Sequence, residues 1–281
     1  MSPPLFDPRV TPARPDLAAG RLRGVVEAAR YVAGEPLRVV VPIAPLRRAP
    51  DAEAPLDTQA LYGETAVVYD ARGDWRWAQL DRDGYVGWLP ASALGPPSAP
   101  THKISALRTH AYPGPSIKQP PRLALSLGAW IAVDRFGGDF AMTRDGVFLC
   151  ARHVAPLEAR EPDFVAVAER FLETPYLWGG RTSEGIDCSG LVQTALVAAG
   201  VVAPRDSDMQ EAALGAPLAA GAALLRGDLV FWKGHVGVLR DAQTLLHANG
   251  WAMKVTSEPL AEARARIEQN GGGPITSIRR L

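Results

Sequence analysis

The stretch Thr174–Gly200, TPYLWGGRTSEGIDCSGLVQTALVAAG, decides how the rest of the chain is read. It places Cys188 where a glycine-rich loop meets an apolar helix. Gly179, Gly180 and Gly185 bracket a loop that does not continue a helix, and Asp187 stands at an N-cap position. Leu191, Val192, Ala195, Leu196 and Ala199 then recur at helical spacing until Gly200 ends the run. A cysteine in the first turn meets unpaired backbone N–H groups and the positive end of the helix dipole, which favours a thiolate. A buried structural cysteine is the alternative for any such residue; the polar, glycine-rich approach to Cys188 argues for the reactive reading.

Downstream, LLRGDLVFWKGHVGVLRDAQTLLHANGWAMKV reads as three strands separated by Gly and Asp turns. His235 and His247 lie in one hairpin of that stretch. An odd number of residues in the connecting loop puts both rings on one sheet face as diagonal neighbours. A nucleophilic thiol needs a base, and the base needs an orienting group. This hairpin supplies a candidate for each. His102, His110 and His153 fall in a linker or in β-rich sequence and are read as surface or packing residues. Zinc at Cys188, His235 and His247 is disfavoured, because neither CxxC nor HxxxH spacing occurs and no carboxylate obviously completes a shell. No cofactor is expected.

Upstream the pattern is β-type and repeated. DTQALYGETAVVYDA is paralleled by PPRLALSLGAWIAVDRF, and RGDWRWAQLDRDGYVGWLPASAL by GGDFAMTRDGVFLCARHVAPL. Gly73-Asp74-Trp75 corresponds to Gly138-Asp139-Phe140, and the hairpin signal Asp83-Gly84 to Asp145-Gly146. Two tandem copies of one small barrel follow, joined by the linker GPPSAPTH. Before them, LAAGRLRGVVEAARYVAG is expected to form a short helix. After Asp163 the order is α+β: FVAVAERFLETPY as an amphipathic helix, a helix opened by PRDSDMQEAAL, the sheet, a late helix capped at Ser257, and a closing strand PITSIRRL. The expected organisation is an extension over 1–30, barrels over 31–97 and 103–158, and an α+β domain over 160–281.

Composition excludes several classes. Thirty basic and thirty acidic residues give a formal charge of zero, so neither nucleic acid nor an anionic membrane is an expected partner. Two cysteines are too few for a disulfide framework and fit a reducing compartment. The proline-rich start MSPPLFDPRVTPARPDL lacks the apolar core of a secretory signal, and no apolar run reaches spanning length. A cytoplasmic location is the expectation.

TPYLWGG, DCSGL, GDLVFW-x-x-GHVG and LLHA resemble, in order and spacing, the NlpC-type papain-like cysteine peptidases that hydrolyse peptide bonds of bacterial murein. The tandem barrels resemble bacterial SH3-like domains, the second less closely because it lacks the Gly-Trp pair of DGYVGW. The fold class implied is multidomain α+β, two SH3-like barrels followed by a papain-like domain. The resemblance implies Cys188 as nucleophile, His235 as base and His247 as orienting residue. It places Tyr176 beside the reacting carbonyl and Ser189 against substrate. A narrower subset cleaves the γ-D-glutamyl to diamino-acid bond (diaminopimelate or Lys) of short murein-derived peptides with a free N-terminal L-Ala, releasing L-Ala-γ-D-Glu in cell-wall recycling. That subset implies Asp206, Glu64 and Tyr85 as the residues that hold the substrate ammonium. Bottom-up, Asp206 also fits a helix N-cap and Glu64 a solvated turn residue. The competing functions are an exported hydrolase of intact peptidoglycan and a non-catalytic wall-binding protein.

Overall fold

The computed structural model describes residues 6–281, so residues 1–5 of the extension lie outside the described residues. The chain divides into two units, one ending at Leu157 and one beginning at Glu158.

From Glu35 onward the first unit is built from antiparallel β-structure in two similar copies. Seven strands between Glu35 and Gly95 form one sheet closed around Val39, Leu46, Ala66, Ala78, Leu80 and Leu89. The second copy packs Ile104, Ala111, Leu125, Ile131, Ala141 and Leu149, and Leu61 and Tyr62 of the first copy join that cluster. The repeat read from sequence extends to backbone detail. Gly73 and Gly138 both adopt positive φ (52° and 57°), as do Gly84 and Gly146 (76° each). The amide of Ala91 donates to the Asp74 carbonyl at 2.7 Å, and that of Ala151 to the Asp139 carbonyl at 2.8 Å. Each bond opens a one-turn 3-10 helix, Ala91–Ala93 or Ala151–His153.

The helix expected near residues 17–34 is absent. Leu17–Ala19 is a strand, Gly20–Leu22 a single 3-10 turn, and Tyr31–Val32 pairs in parallel with Ala18–Ala19. Pro12, Pro15, Gly20 and Gly24 deny the segment a helical run. Leu17 and Ala19 are instead buried against Tyr69, Trp77, Val86 and Trp88 of the first barrel.

The second unit has the expected α+β order. Its sheet is antiparallel and runs Ala216–Pro217, Ser277–Arg280, Leu229–Trp232, His235–Leu239, Thr244–Asn249, Lys254–Pro259. The first helix, Phe164–Glu169, is capped by Asp163, whose carboxylate accepts from the amides of Val165 and Ala166. The second, Cys188–Ala198, packs on the His235 strand and is buried nearly all round, with Gln193 and Thr194 inside as well as Leu191, Val192, Ala195 and Leu196. Ser207–Ala213 and Leu260–Gln269 complete the set. The last helix does not begin at Ser257 as expected. Ser257 is still paired in the edge strand opposite Leu246, and the helix starts after Pro259. Pairing runs to Pro259, the last residue of the strand, whose ring-fixed φ of −59° suits the entry to the helix that follows it. Among the described residues no helix is long and apolar enough to cross a membrane.

Candidate active site

The site is assembled in the second unit at the start of the Cys188 helix. Asp187 is its N-cap, as expected, and accepts from the Gly190 amide at 2.7 Å with one oxygen. Its other oxygen accepts from the Gly179 amide at 2.8 Å, which ties the glycine-rich loop to the helix start. Arg205 closes the arrangement. Its guanidinium is 1% exposed and donates to both Asp187 oxygens, at 3.0 and 2.7 Å, to Ser189 Oγ at 2.9 Å and to the Gly180 carbonyl at 3.3 Å. The Ser189 hydroxyl therefore already accepts from Arg205 and points its proton toward Asp187 Oδ1, 3.3 Å away. One lone pair is left for any other partner.

The Cys188 thiol sits against the backbone N–H groups of Ser189 and of Val236, the residue after His235. Those amides and Arg205 favour a thiolate, but burial opposes it first and the Asp187 charge second. The net effect pushes the thiol up to about 12. This reverses the expectation of a thiolate drawn from helix position. A first-turn cysteine at the surface is acidified by the dipole, whereas here the desolvation of a buried sulfur outweighs it.

The histidine pair is formed as the alternation required. Val238 pairs with Leu246 and Leu239 with Leu245, and a three-residue turn at 241–243 joins the strands through Arg240 and Thr244. Asp241 Oδ1 accepts from the Gln243 and Thr244 amides and sets that turn. His235 and His247 thus share a face, with His235 Nε2 2.8 Å from His247 Nδ1. Gly237 sits in the strand between them. A Cβ there would come within 3.1 Å of His247 Cβ and 2.7 Å of the Leu245 side chain, so glycine keeps the rings in reach of one another. Burial, reinforced by the neighbouring His247 and Arg266, drives the His235 imidazole down to about 3, with Glu258 acting the other way. With Nε2 spent on His247, Nδ1 is the His235 nitrogen available as a base.

Glu258 was not singled out in the sequence. It lies on the next strand, diagonal to His247, because His247 pairs with Thr256 and Leu245 with Glu258. Its carboxylate is 2.7 Å from His247 Nε2 and takes two 2.5 Å bonds from Arg266 on the last helix. Burial works against its ionisation, but the bonds to His247 and Arg266 outweigh that and hold its pKa down at about 2.

Tyr176 is half-buried, and its phenol is held well above the usual tyrosine range by burial first and by Cys188 and Asp187 next. That influence puts the phenol in electrostatic reach of the thiol. Trp178, two residues further on, is 66% exposed and leaves the phenol's surroundings to the other side chains. Asp206 occupies the N-cap position of Ser207–Ala213, yet its side chain makes no cap bond. Glu64 and Tyr85 belong to the first unit. Glu64 is 1% exposed, forms an ion pair with Arg82 and accepts from the Leu61 amide at 3.1 Å, so it is not the solvated turn residue that its flanking sequence suggests. Tyr85 is buried in the first barrel's core. Cys188, Tyr176, Ser189, His235 and His247 are therefore gathered in one unit, with Arg205, Glu258 and Arg266 added to them.

A thiol beside a line of two imidazoles and a carboxylate is an arrangement for nucleophilic attack with general-base assistance. Residues 173–268 match the NlpC/P60 family. The second unit carries an NlpC/P60 domain. Residues 46–94 match the bacterial dipeptidyl-peptidase Sh3 domain. The chain is similar to the gamma-D-glutamyl-L-lysine dipeptidyl-peptidase of Bacillus subtilis, 29% identical over 222 residues that cover 69% of this chain and 72% of that protein. It is 26% identical to dipeptidyl-peptidase 6 of Lysinibacillus sphaericus over 270 residues, 85% of this chain and 97% of that one. The match to the Bacillus cereus gamma-D-glutamyl-L-lysine dipeptidyl-peptidase, 27% identical, covers 55% of this chain and 54% of that relative, about half its length. An NlpC/P60 family protein of Bacillus cereus shares the fold, with a TM-score of 0.73 at 21% identity over 88% of this chain and 99% of that one. The NlpC/P60 domain is a cysteine peptidase domain, preceded by an SH3-like domain.

Proposed function

We propose that the protein is a cysteine peptidase that cleaves the γ-D-glutamyl to diamino-acid bond of murein-derived peptides bearing a free N-terminal L-Ala. The observation that carries the chemistry is the line Cys188, His235, His247 within the NlpC/P60 domain. The choice of bond is supported by the names of the relatives, two of which are gamma-D-glutamyl-L-lysine dipeptidyl-peptidases.

In this reading the resting pair is a neutral thiol and a neutral imidazole. His235 Nδ1 takes the thiol proton as sulfur attacks the γ-glutamyl carbonyl, so charge develops only as the bond forms. The Cys188 amide, a first-turn N–H with no intrahelical acceptor, and the Tyr176 hydroxyl stabilise the oxyanion. A phenol held in its protonated form by burial is suited to donate there. His235 then passes its proton to the leaving amine, and water, deprotonated by the same nitrogen, hydrolyses the thioester. Ser189 contributes its remaining lone pair to substrate while anchoring Asp187 and Arg205.

Asp206 is the proposed carboxylate for the substrate ammonium. Its assignment rests on the likeness of the PRDSDMQ segment to the corresponding segment of the narrower subset. Glu64 and Tyr85 enter the same reading through the resemblance alone. Acting on free peptides goes with a location in the cytoplasm, and recovery of the native protein in a cell-wall fraction would count against that.

The test compares L-Ala-γ-D-Glu-L-Lys and its diaminopimelate counterpart with their N-acetylated forms. The free peptides are expected to release L-Ala-γ-D-Glu, with kcat/KM lowered by roughly 10²-fold or more on acetylation, the loss of a buried charge-assisted contact. Equal cleavage of free and acetylated peptides overturns the free-amine reading. Cleavage of intact sacculi in preference to either points to the wall-hydrolase alternative.

A further inference from the structure

The contacts of His247 and Glu258 contain more than a third catalytic position. A carboxylate held ionised can only accept, so His247 Nε2, 2.7 Å away, must carry a proton. A neutral His247 then has its lone pair on Nδ1, and the His235 Nε2 that lies 2.8 Å from it must be the donor. That leaves the lone pair of His235 on Nδ1, the nitrogen the thiol chemistry requires. One charged group thereby sets the tautomer of two rings in series. Asn249 does not compete for His247 Nε2. Its Oδ1 accepts from the Ala252 amide at 2.8 Å, which turns its NH2 toward Thr256 Oγ1 at 2.7 Å and leaves only a 3.2 Å approach to His247.

We propose that Glu258, clamped by Arg266, is the positioning residue that polarises a four-member line Glu258–His247–His235–Cys188, so that His235 presents an unprotonated Nδ1 to the thiol. Arg266 Nη1 and Nη2 each donate to a different Glu258 oxygen at 2.5 Å, which fixes both the ionisation and the plane of the carboxylate. The charged and titratable groups around the line are Glu258 on the adjacent strand and Arg266 of the last helix, itself beside Glu262, at one end, and Asp187, Arg205 and Tyr176 at the Cys188 end. The last helix and edge strand thus act on the chemistry through one contact each, although neither touches the thiol. When the thiol proton moves to His235 Nδ1, the new positive charge is met along the line by a carboxylate two rings away.

The inference rests on the peptidase reading, but its test needs no peptide. In a full-length Cys150→Ser background, the rate of Cys188 alkylation by iodoacetamide at neutral pH is measured for the parent, Glu258→Gln and Glu258→Asp. An amide has to set one NH2 against a guanidinium N–H or against His247, and the second choice reverses both tautomers. Glu258→Gln is expected to lose roughly 10²–10⁴-fold in alkylation rate, the scale of a wrong-tautomer imidazole. Glu258→Asp is expected to recover most of it. Unchanged alkylation in a folded Glu258→Gln protein overturns the proposal. Imidazole ¹⁵N NMR of the parent keeps the inference testable if the variant does not fold: both rings are expected as Nε2–H tautomers, and Nδ1–H at either ring overturns it. Correct tautomers with no peptide cleaved would sink the proposed function and leave this inference standing.

Discussion

At the scale of single residues, the site is governed by burial working against ionisation. Cys188 and His235 are both held in their neutral forms, the thiol up to about 12 and the imidazole down to about 3. The linkage to stability has a definite sign. An unfolded chain takes a proton on His235 near pH 6.5, whereas the folded one refuses it until about 3, so stability falls as the pH drops through that window. Glu258 behaves in the same direction but later, because its unfolded carboxyl protonates near 4.5 and its folded one near 2. The interval between pH 6.5 and 4.5 therefore isolates His235. There, the parent is expected to lose up to about 1.4 kcal/mol per pH unit more than His235→Asn, as read from urea unfolding. Parallel slopes for the two proteins would contradict the buried, neutral imidazole.

At the scale of elements, the ion pair Arg205–Asp187 joins the glycine-rich loop, the Cys188 helix and the segment before Ser207–Ala213. Removing Arg205 strands the Asp187 carboxylate at 7% exposure. Arg205→Ala is expected to cost about 3–5 kcal/mol in denaturant unfolding, the penalty for one partner left alone, and Arg205→Lys to recover only part because it cannot reach both oxygens. A loss below about 1 kcal/mol would show that the pair does not hold the loop. What could be read beforehand follows from how local each signal is. Cys188 at a helix start, its Asp187 cap and the His235/His247 hairpin depend on periods of 3.6 and 2 and on one short turn, all of which lie within the stretch that shows them. Arg205 and Glu258 depend on contacts across the fold. Glu258 became legible only once the Asn249–Lys254 pair fixed the next register and put it diagonal to His247. The supposed helix near residue 20 failed for the opposite reason. Its apolar residues had a partner, the Trp77 and Trp88 surface, that no local pattern announces.

At the scale of the whole molecule, the first unit shows why a repeat is not two independent modules. Asp145, read as a turn signal in the second copy, accepts from Arg38 Nη1 and Nη2 at 2.8 Å each and from the Tyr62 hydroxyl at 2.5 Å, all from the first copy. Arg82 of the first copy likewise donates to the Gly128 carbonyl of the second at 2.8 Å. The turn that carries Glu64 is therefore braced by the second barrel through Tyr62 and through Arg82, the ion-pair partner of Glu64. The second unit holds the whole Cys188 constellation, and the proposed peptidase stands on the sulfur of that one residue. Acid-quenched protein mixed with L-Ala-γ-D-Glu-L-Lys is therefore the most direct measurement, with mass spectrometry reading the chain. An L-Ala-γ-D-Glu thioester mapped to Cys188 is expected, with neither adduct nor cleavage for Cys188→Ala. Cleavage by Cys188→Ala at the parent rate, or an adduct on any other residue, would contradict it.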